Sequence, residues 1–246
     1  MNAVSSKNAA PVSRPEGKLR VGGLTSFSAT DYPGKLSAVV FCQGCPWHCR
    51  YCHNPHLLPR RGADEIAWTD VLAFLERRRG LLDAVVFSGG EPTLQARLAA
   101  AMRDVKALGF RIGLHTAGTV PRRLAQVLPL LDWVGMDVKA PFGRYDEITG
   151  VAGSGARALA SARLILESGV DHEFRTTVHR ALLSREELVE LALTLAAYGA
   201  RRYALQEFRA DGCRSPAFAA ATGDHLDASL ASELRPNFET LTVRRA

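Results

Sequence analysis

Three cysteines within eight residues are the part of this sequence best suited to chemistry. Cys45, Cys49 and Cys52 follow the spacing Cys-x3-Cys-x2-Cys, and His53 and Asn54 come directly after them. Three thiolates on one short loop can hold a cubane iron–sulfur cluster and leave its fourth iron without a protein ligand. A metal position that the protein leaves open is available for catalysis, as in catalytic zinc sites. The spacing therefore predicts a catalytic cluster.

A structural zinc site is the alternative interpretation of the same segment. Three cysteines with His48 or His53 would form a Cys3His set, but structural zinc sites usually combine ligand pairs from separate parts of a chain. The sequence has five cysteines, and the other two, Cys42 and Cys213, stand apart. We expect Cys42 to be buried in a strand and Cys213 to be incidental. The odd count in a chain of this size also argues against a disulfide framework.

Strand-like and helix-like segments alternate along the chain and must position the cysteine loop. The predicted strands are 36–42, 83–88, 110–115, 133–138, 172–178 and 202–207, and the predicted helices are 64–79, 94–108, 121–131, 155–168 and 184–197. This alternation indicates a parallel sheet with right-handed crossovers. Six units are too few for a closed eight-fold barrel. In barrels of this kind active residues lie at the C-terminal ends of strands.

Composition excludes several classes of protein. The chain has 246 residues, 47% hydrophobic and 23% charged, with a net charge of +6. It has no apolar run of the roughly 20 residues that a membrane helix requires. The arginines occur in short scattered pairs, which favours a solvated surface over nucleic-acid binding. Residues 1–18 are polar and have no secretory h-region, so we expect a flexible tail, one domain over 19–246, and a cytoplasmic protein.

The segment from Asp31 to Pro55, with its three cysteines and the following His53-Asn54, resembles the radical S-adenosylmethionine (SAM) enzymes. It is most similar to glycyl-radical-enzyme activases, in particular the anaerobic ribonucleoside-triphosphate reductase activating proteins. The resemblance implies an α/β fold, an open (β/α)6 partial TIM barrel, with one [4Fe-4S] cluster and SAM as cofactors. In that family SAM chelates the fourth iron, and one electron from the cluster yields methionine and a 5′-deoxyadenosyl radical.

The resemblance also assigns SAM contacts to residues near the first two predicted strands. Tyr51 matches an aromatic position that the family uses beside the adenine, although packing against the loop is an equally good reading. Gly89, Gly90 and Glu91 match the segment that holds the methionine amino group. Paired glycines allow a ligand to approach the backbone closely, and the Glu91 carboxylate can accept hydrogen bonds from an ammonium group.

Further contacts are expected at the ends of later strands. Asp137 and Lys139 resemble an Asp-x-Lys motif near the SAM carboxylate and ribose, with a purely structural ion pair as the alternative. Thr116 is a candidate polar contact. The residue before it, His115, stands where many relatives carry an acid, so we do not extend the metal-cation role of some activases to it. A last group shares one face of a strand and is expected to form a polar wall near SAM: Arg175, Thr177 and His179.

The implied function is that of an oxidoreductase that generates a glycyl radical on a partner enzyme. Anaerobic ribonucleotide reductase is the expected partner, and a flavodoxin or ferredoxin the expected electron donor. No cysteine lies between Cys52 and Cys213, so we expect a single cluster. The alternatives are an activase of a pyruvate formate-lyase-type enzyme, a radical SAM enzyme acting on a small molecule or RNA, and a zinc-binding interaction module without catalysis.

Overall fold

The computed structural model describes residues 18–213, 215, 218, 226 and 228–245. The tail predicted over residues 1–18 falls outside this part of the chain except for Lys18. The described residues form one eight-stranded sheet in which the strands lie side by side in chain order. The strands are β1 (Val21–Ser28), β2 (Ser37–Cys42), β3 (Ala84–Gly89), β4 (Arg111–Thr116), β5 (Trp133–Asp137), β6 (Asp171–Val178), β7 (Arg202–Glu207) and β8 (Thr240–Arg244).

Parallel pairing brings the functional segments together at the C-terminal ends of the strands. Strands β2 to β8 are parallel, and β1 pairs antiparallel with β2. Cys42 at the end of β2 pairs with Gly89, and Asp137 at the end of β5 pairs with Arg175. The central strands are apolar and buried on both faces, as expected for a parallel sheet covered by helices. The segments that follow these strands therefore meet at the same end of the sheet.

Helices cover the sheet between successive strands. They are α1 (Trp68–Glu76), α2 (Leu98–Ala107), α3 (Pro121–Val127), α4 (Tyr145–Thr149), α5 (Ser154–Ser168), α6 (Arg185–Ala197) and α7 (Ala228–Leu234). The start of α6 is set by a capping box, in which the Ser184 side chain accepts from the Glu187 N–H and the Glu187 carboxylate accepts from the Ser184 N–H. Within the described residues, every helix is too short or too polar to span a bilayer.

The predicted α/β fold with an open partial barrel is confirmed, and its six predicted strands are β2 to β7. The sequence reading missed β1 and β8, which are the two edges of the sheet in the described part of the chain. Edge strands are half-exposed and paired on one side only, so neither carries a clear apolar pattern. As a result, no sequence pattern predicted that residues of β8 would face the interior of the barrel.

Candidate active site

A cavity of about 150 Å³ lies between the cysteine loop and the ends of β3, β4 and β5. Ten of the thirteen candidate residues line it: Cys45, Cys49, Tyr51, Cys52, Gly89, Gly90, Thr116, Asp137, Lys139 and Thr177. Of the three others, Arg175 lines a neighbouring cavity, whereas Glu91 and His179 line neither of these two cavities. The fold thus gathers segments that are far apart in sequence around the three thiols.

The cysteine loop is held by main-chain hydrogen bonds to its own returning segment. The N–H groups of Gly44 and Cys45 donate to the carbonyl oxygens of Leu57 (2.8 Å) and Leu58 (3.1 Å). The side-chain amide of Gln43 donates to two further carbonyl groups of the same segment. As predicted, Cys42 is fully buried at the end of β2. The loop therefore starts from a rigid strand end and returns to it.

Two of the three thiols are in an environment that favours the neutral form. Burial raises the pKa of Cys45 to about 12, although the backbone N–H of Trp47 donates to its sulfur and acts in the opposite direction. Burial also raises the pKa of Cys49. Because thiolates are the metal-binding form, metal binding at this loop must release protons.

Gly89 packs directly against the backbone at the end of β2, and Gly90 packs against the backbone of the cysteine loop. A Cβ atom at Gly89 would lie 2.4 Å from the Cys42 nitrogen, and Gly89 also has a φ of +113°. A Cβ at Gly90 would lie 2.4 Å from the Gly44 oxygen. The Gly90 N–H donates to the Cys42 carbonyl (2.9 Å), and the Glu91 N–H donates to the Gly44 carbonyl (2.8 Å). Side chains are excluded here because two backbones are in contact.

Glu91 is fully buried, and its carboxylate joins the ends of β3 and β4. It accepts hydrogen bonds from the backbone N–H (3.0 Å) and hydroxyl (2.6 Å) of Thr93, the Thr116 hydroxyl (2.8 Å) and the Ala117 N–H (2.9 Å). Burial raises the pKa of Glu91, and these hydrogen bonds act in the opposite direction. The expected contact with an ammonium group would have to compete with four protein donors.

Lys139 carries a positive charge at the wall of the cavity. Its Nζ lies 3.5 Å from Asp137 Oδ2 and 5.5 Å from the ring centre of Tyr51. Burial disfavours the charged form, but Tyr51 and Asp137 raise the pKa of Lys139 well above its usual value. Its backbone N–H donates to the Tyr145 hydroxyl (2.9 Å), which anchors the end of β5. An anionic ligand group placed here would face an ammonium that is already held in position.

A second cavity of about 750 Å³ adjoins the first, and His115 lies on the boundary between them. His115 Nε2 lies 2.8 Å from the Asp31 carbonyl oxygen and 3.1 Å from Arg175 Nη1, and its Nδ1 lies 3.4 Å from the Ser88 hydroxyl. Burial and the positive charge of Arg175 lower the pKa of His115 well below its usual value. His115 is therefore neutral near pH 7.

Arg175 lines this second cavity and belongs to an ionic group of buried and half-buried side chains. Its Nε donates to Glu173 Oε1 (2.9 Å), and Arg244 of β8 binds the same carboxylate at 2.8 and 3.0 Å. The guanidinium of Arg175 lies 4.9 Å from the ring centre of Trp133. Arg175 thus faces the barrel interior, as the strand alternation indicated, while Arg244 was missed because β8 was not predicted.

His179 is placed apart from the other candidates. Strand β6 ends at Val178, so the alternation of faces no longer applies to His179. Its ring is fully buried between Phe208 and Phe218, with centre-to-centre distances of 4.9 and 5.0 Å. In the described part of the chain it lines neither cavity.

Comparison of the sequence with models of protein families matches the chain to one family. The model of the radical SAM superfamily matches residues 39–203. A protein of Methanocaldococcus jannaschii, described in its name as a glycyl-radical enzyme activating enzyme, is 33% identical over 200 residues, which cover 78% of this chain and 80% of that protein. The pyruvate formate-lyase-activating enzyme of Clostridium pasteurianum is 34% identical over 125 residues, 49% of this chain and 52% of that enzyme.

Solved structures agree on the fold. SuiB of Streptococcus suis, in its complex with the precursor peptide SuiA, has a TM-score of 0.63 and 14% identity. The match covers 85% of this chain and 48% of that one, so the chain spans about half the length of this neighbour.

The donor set fits a cluster better than a single zinc ion. Cys45, Cys49 and Cys52 line one cavity, and thiolates are the ligands of [4Fe-4S] clusters, in which each cysteine binds a different iron. A structural zinc ion needs a fourth ligand, but His53, which lines the same cavity, has its Nε2 2.7 Å from the Arg209 carbonyl oxygen.

The same cavity suits SAM, because Lys139 offers a charge for its carboxylate and the Gly89-Gly90 strand end forms part of the cavity wall. The residue chemistry, the fold and the family match therefore agree, and the chain belongs to the radical SAM superfamily, with a [4Fe-4S] cluster and SAM as its cofactors.

Proposed function

We propose that the protein is an activase that generates a glycyl radical on a partner enzyme. The observation that carries this proposal is the 33% identity to the M. jannaschii activating enzyme, because the match covers 80% of that protein. The similarity to a pyruvate formate-lyase-activating enzyme supports the same class.

Within this proposal the residues of the first cavity have distinct roles. Cys45, Cys49 and Cys52 hold the cluster, and Lys139 pairs with the SAM carboxylate. When bound, the reduced cluster supplies the electron that breaks a sulfonium bond of SAM and so provides a 5′-deoxyadenosyl radical. The carbonyl oxygens of the Gly89-Gly90 strand end accept from the methionine amino group, since the Glu91 carboxylate already accepts four hydrogen bonds.

The second cavity is the place proposed for the partner's glycine loop. It adjoins the first cavity, and Asn54 and Thr177 line both. Gln206 adds an amide, so the wall offers donors and acceptors for main-chain groups. His53 lies 2.7 Å from the Arg209 carbonyl oxygen and packs its ring 5.1 Å from Phe208, which holds the segment after β7 against the cysteine loop. Hydrogen abstraction requires the glycine Cα to be held close to the radical.

Anaerobic ribonucleotide reductase is our proposed partner, and a flavodoxin or ferredoxin our proposed electron donor. The support for the first is the similarity of the Asp31–Pro55 segment to activators of that reductase. The net charge of +6 would favour association with an acidic donor protein. A pyruvate formate-lyase-type enzyme is the alternative partner, favoured by the Clostridium relative.

Anaerobic reconstitution tests the proposal. The protein is incubated with SAM, a reductant and either partner, and the glycyl radical is measured by electron paramagnetic resonance (EPR). We expect a radical with the ribonucleotide reductase, no radical with Cys49→Ala, and a radical with Cys42→Ala, since Cys42 lies in β2 below the loop. SAM cleavage without a radical on either partner would contradict the activase proposal and favour a small-molecule substrate.

A further inference from the structure

Trp47 has a buried polar atom that the protein does not satisfy. It lies between the ligands Cys45 and Cys49, is fully buried, and lines the first cavity. Its indole Nε1 has no hydrogen-bond partner among the described residues, with sulfur atoms counted as acceptors. Trp68 provides a contrast within the same chain, because its Nε1 donates to Asp104 at 2.9 Å.

An unsatisfied indole N–H in this position is unusual on energetic grounds. A buried donor without an acceptor has lost its hydrogen bonds to water without compensation, and buried tryptophan N–H groups usually find a partner. The ring of Trp47 is held by an edge contact with Tyr145, 5.7 Å between centres. The next residue is also fixed, because the His48 N–H donates to the Thr149 carbonyl at 2.8 Å. The indole is therefore not free to turn outward.

We propose that the Trp47 indole N–H donates a hydrogen bond to a sulfur atom of the bound cluster. The cavity that Trp47 lines is the one that contains the three thiols, and the backbone N–H of the same residue already donates to the Cys45 sulfur. A cluster bound by these thiols would therefore bring sulfur acceptors into the cavity that Trp47 lines.

Such a hydrogen bond would tune the reduction potential. Reduction adds negative charge to the cluster, so a donor to its sulfur atoms stabilises the reduced form more than the oxidised form. Trp47 would then be a positioning and tuning residue that makes reduction of the cluster by its electron donor more favourable, at the cost of a weaker driving force for electron transfer from the cluster to SAM. The inference rests on the cluster and is independent of which partner enzyme is activated.

The test compares two tryptophan substitutions in reconstituted holoprotein. Trp47→Phe removes the N–H and keeps an aromatic ring, while Trp68→Phe makes the same change away from the cavity. We expect the equilibrium constant for cluster reduction to fall about tenfold in Trp47→Phe, a shift of about 59 mV for a one-electron couple, with no shift in Trp68→Phe. Iron content is measured on the same samples, so that loss of the cluster is distinguished from a change in its potential.

A spectroscopic measurement on wild-type protein keeps the test independent of folding. With ¹⁵N-indole tryptophan, pulsed EPR of the reduced cluster should show a ¹⁵N coupling that is absent in Trp47→Phe. An unchanged potential together with no coupling overturns the proposal. A coupling or shift that appears only after SAM is added also overturns it, since the acceptor would then be SAM.

Discussion

The two adjoining cavities are walled by different physical means. At the first cavity, on what we call the backbone side, the end of β2 and the cysteine loop pack main chain to main chain against Gly89 and Gly90. At the second cavity, on the ionic side, His115, Glu173, Arg175 and Arg244 form a connected group of buried and half-buried side chains. Close backbone contact dictates residue type locally, whereas a buried ionic group depends on charges brought together by the whole sheet.

The largest effect is expected from breaking the backbone side. Gly90→Ala places a Cβ 2.4 Å from the Gly44 oxygen and 2.9 Å from the Leu57 oxygen, and neither backbone atom can move without displacing the cysteine loop. We expect the variant to lose the cluster, measured as iron content after anaerobic reconstitution. Gly143→Ala is the matched control, because nothing lies within 4 Å of its added Cβ. Full iron binding by Gly90→Ala would contradict the backbone account.

A substitution on the ionic side should lower the free energy of unfolding rather than remove the cluster. Arg175→Met removes one partner of a buried ion pair, and such changes cost about 3–5 kcal/mol when no other partner compensates. Since Arg244 remains on Glu173, we expect about 3 kcal/mol at most in the free energy of unfolding, measured by urea titration.

Arg202→Met is the control for that substitution, because its ion pair with Asp171 on the neighbouring strand is exposed. Exposed pairs contribute up to about 1 kcal/mol. Equal losses of unfolding free energy in the two variants would show that the buried ion pair contributes no more to stability than the exposed one.

Glu91 joins the cysteine loop of the backbone side to the end of β4 and allows the comparison to be sharpened. Glu91→Gln keeps the shape but turns an NH2 group toward protein donors, which should cost about 1–3 kcal/mol of unfolding free energy and weaken SAM binding through Thr116 and Ala117. Glu65→Gln is the control, because that carboxylate is partly exposed where it accepts from Arg20 and the Gly62 N–H. Calorimetric SAM affinity equal to wild type in Glu91→Gln would refute the positioning role.

The smallest effect concerns pH and the neutral state of His115. Its pKa in the folded protein lies well below the ordinary value of 6.5 because of burial and Arg175. Below pH 6.5 the unfolded chain gains a proton that the folded chain does not, so the unfolding free energy falls on acidification, by up to about 1.4 kcal/mol per pH unit. This contribution is fully present above pH 6.5.

The difference between wild type and His115→Gln isolates this contribution. We expect the unfolding free energy of the wild type to fall more steeply between pH 6.5 and 5.5 than that of the variant. Parallel curves for the two proteins would mean that His115 titrates normally in the fold.

Sequence patterns predicted the residues of the backbone side and missed part of the ionic side. The cysteine spacing, Gly89-Gly90 and Asp137-x-Lys139 are local patterns at strand ends, and all of them line one cavity. Arg244 could not be found, because Glu173 lies 71 residues away and β8 is a polar edge strand. His179 was grouped with Arg175 by alternation, but the strand ends one residue before it. Glu91 was recognised by motif, while two of its four donors, Thr116 and Ala117, depend on the fold of β4.

One measurement tests the central claim, that three cysteines bind a cluster and leave one iron for SAM. The reduced holoprotein is examined by electron–nuclear double resonance with SAM labelled by ¹⁵N in its amino group and ¹⁷O in its carboxylate. The account predicts couplings to both nuclei and an altered EPR spectrum when SAM is added. A spectrum that SAM does not change, with no coupling to either label, would contradict it.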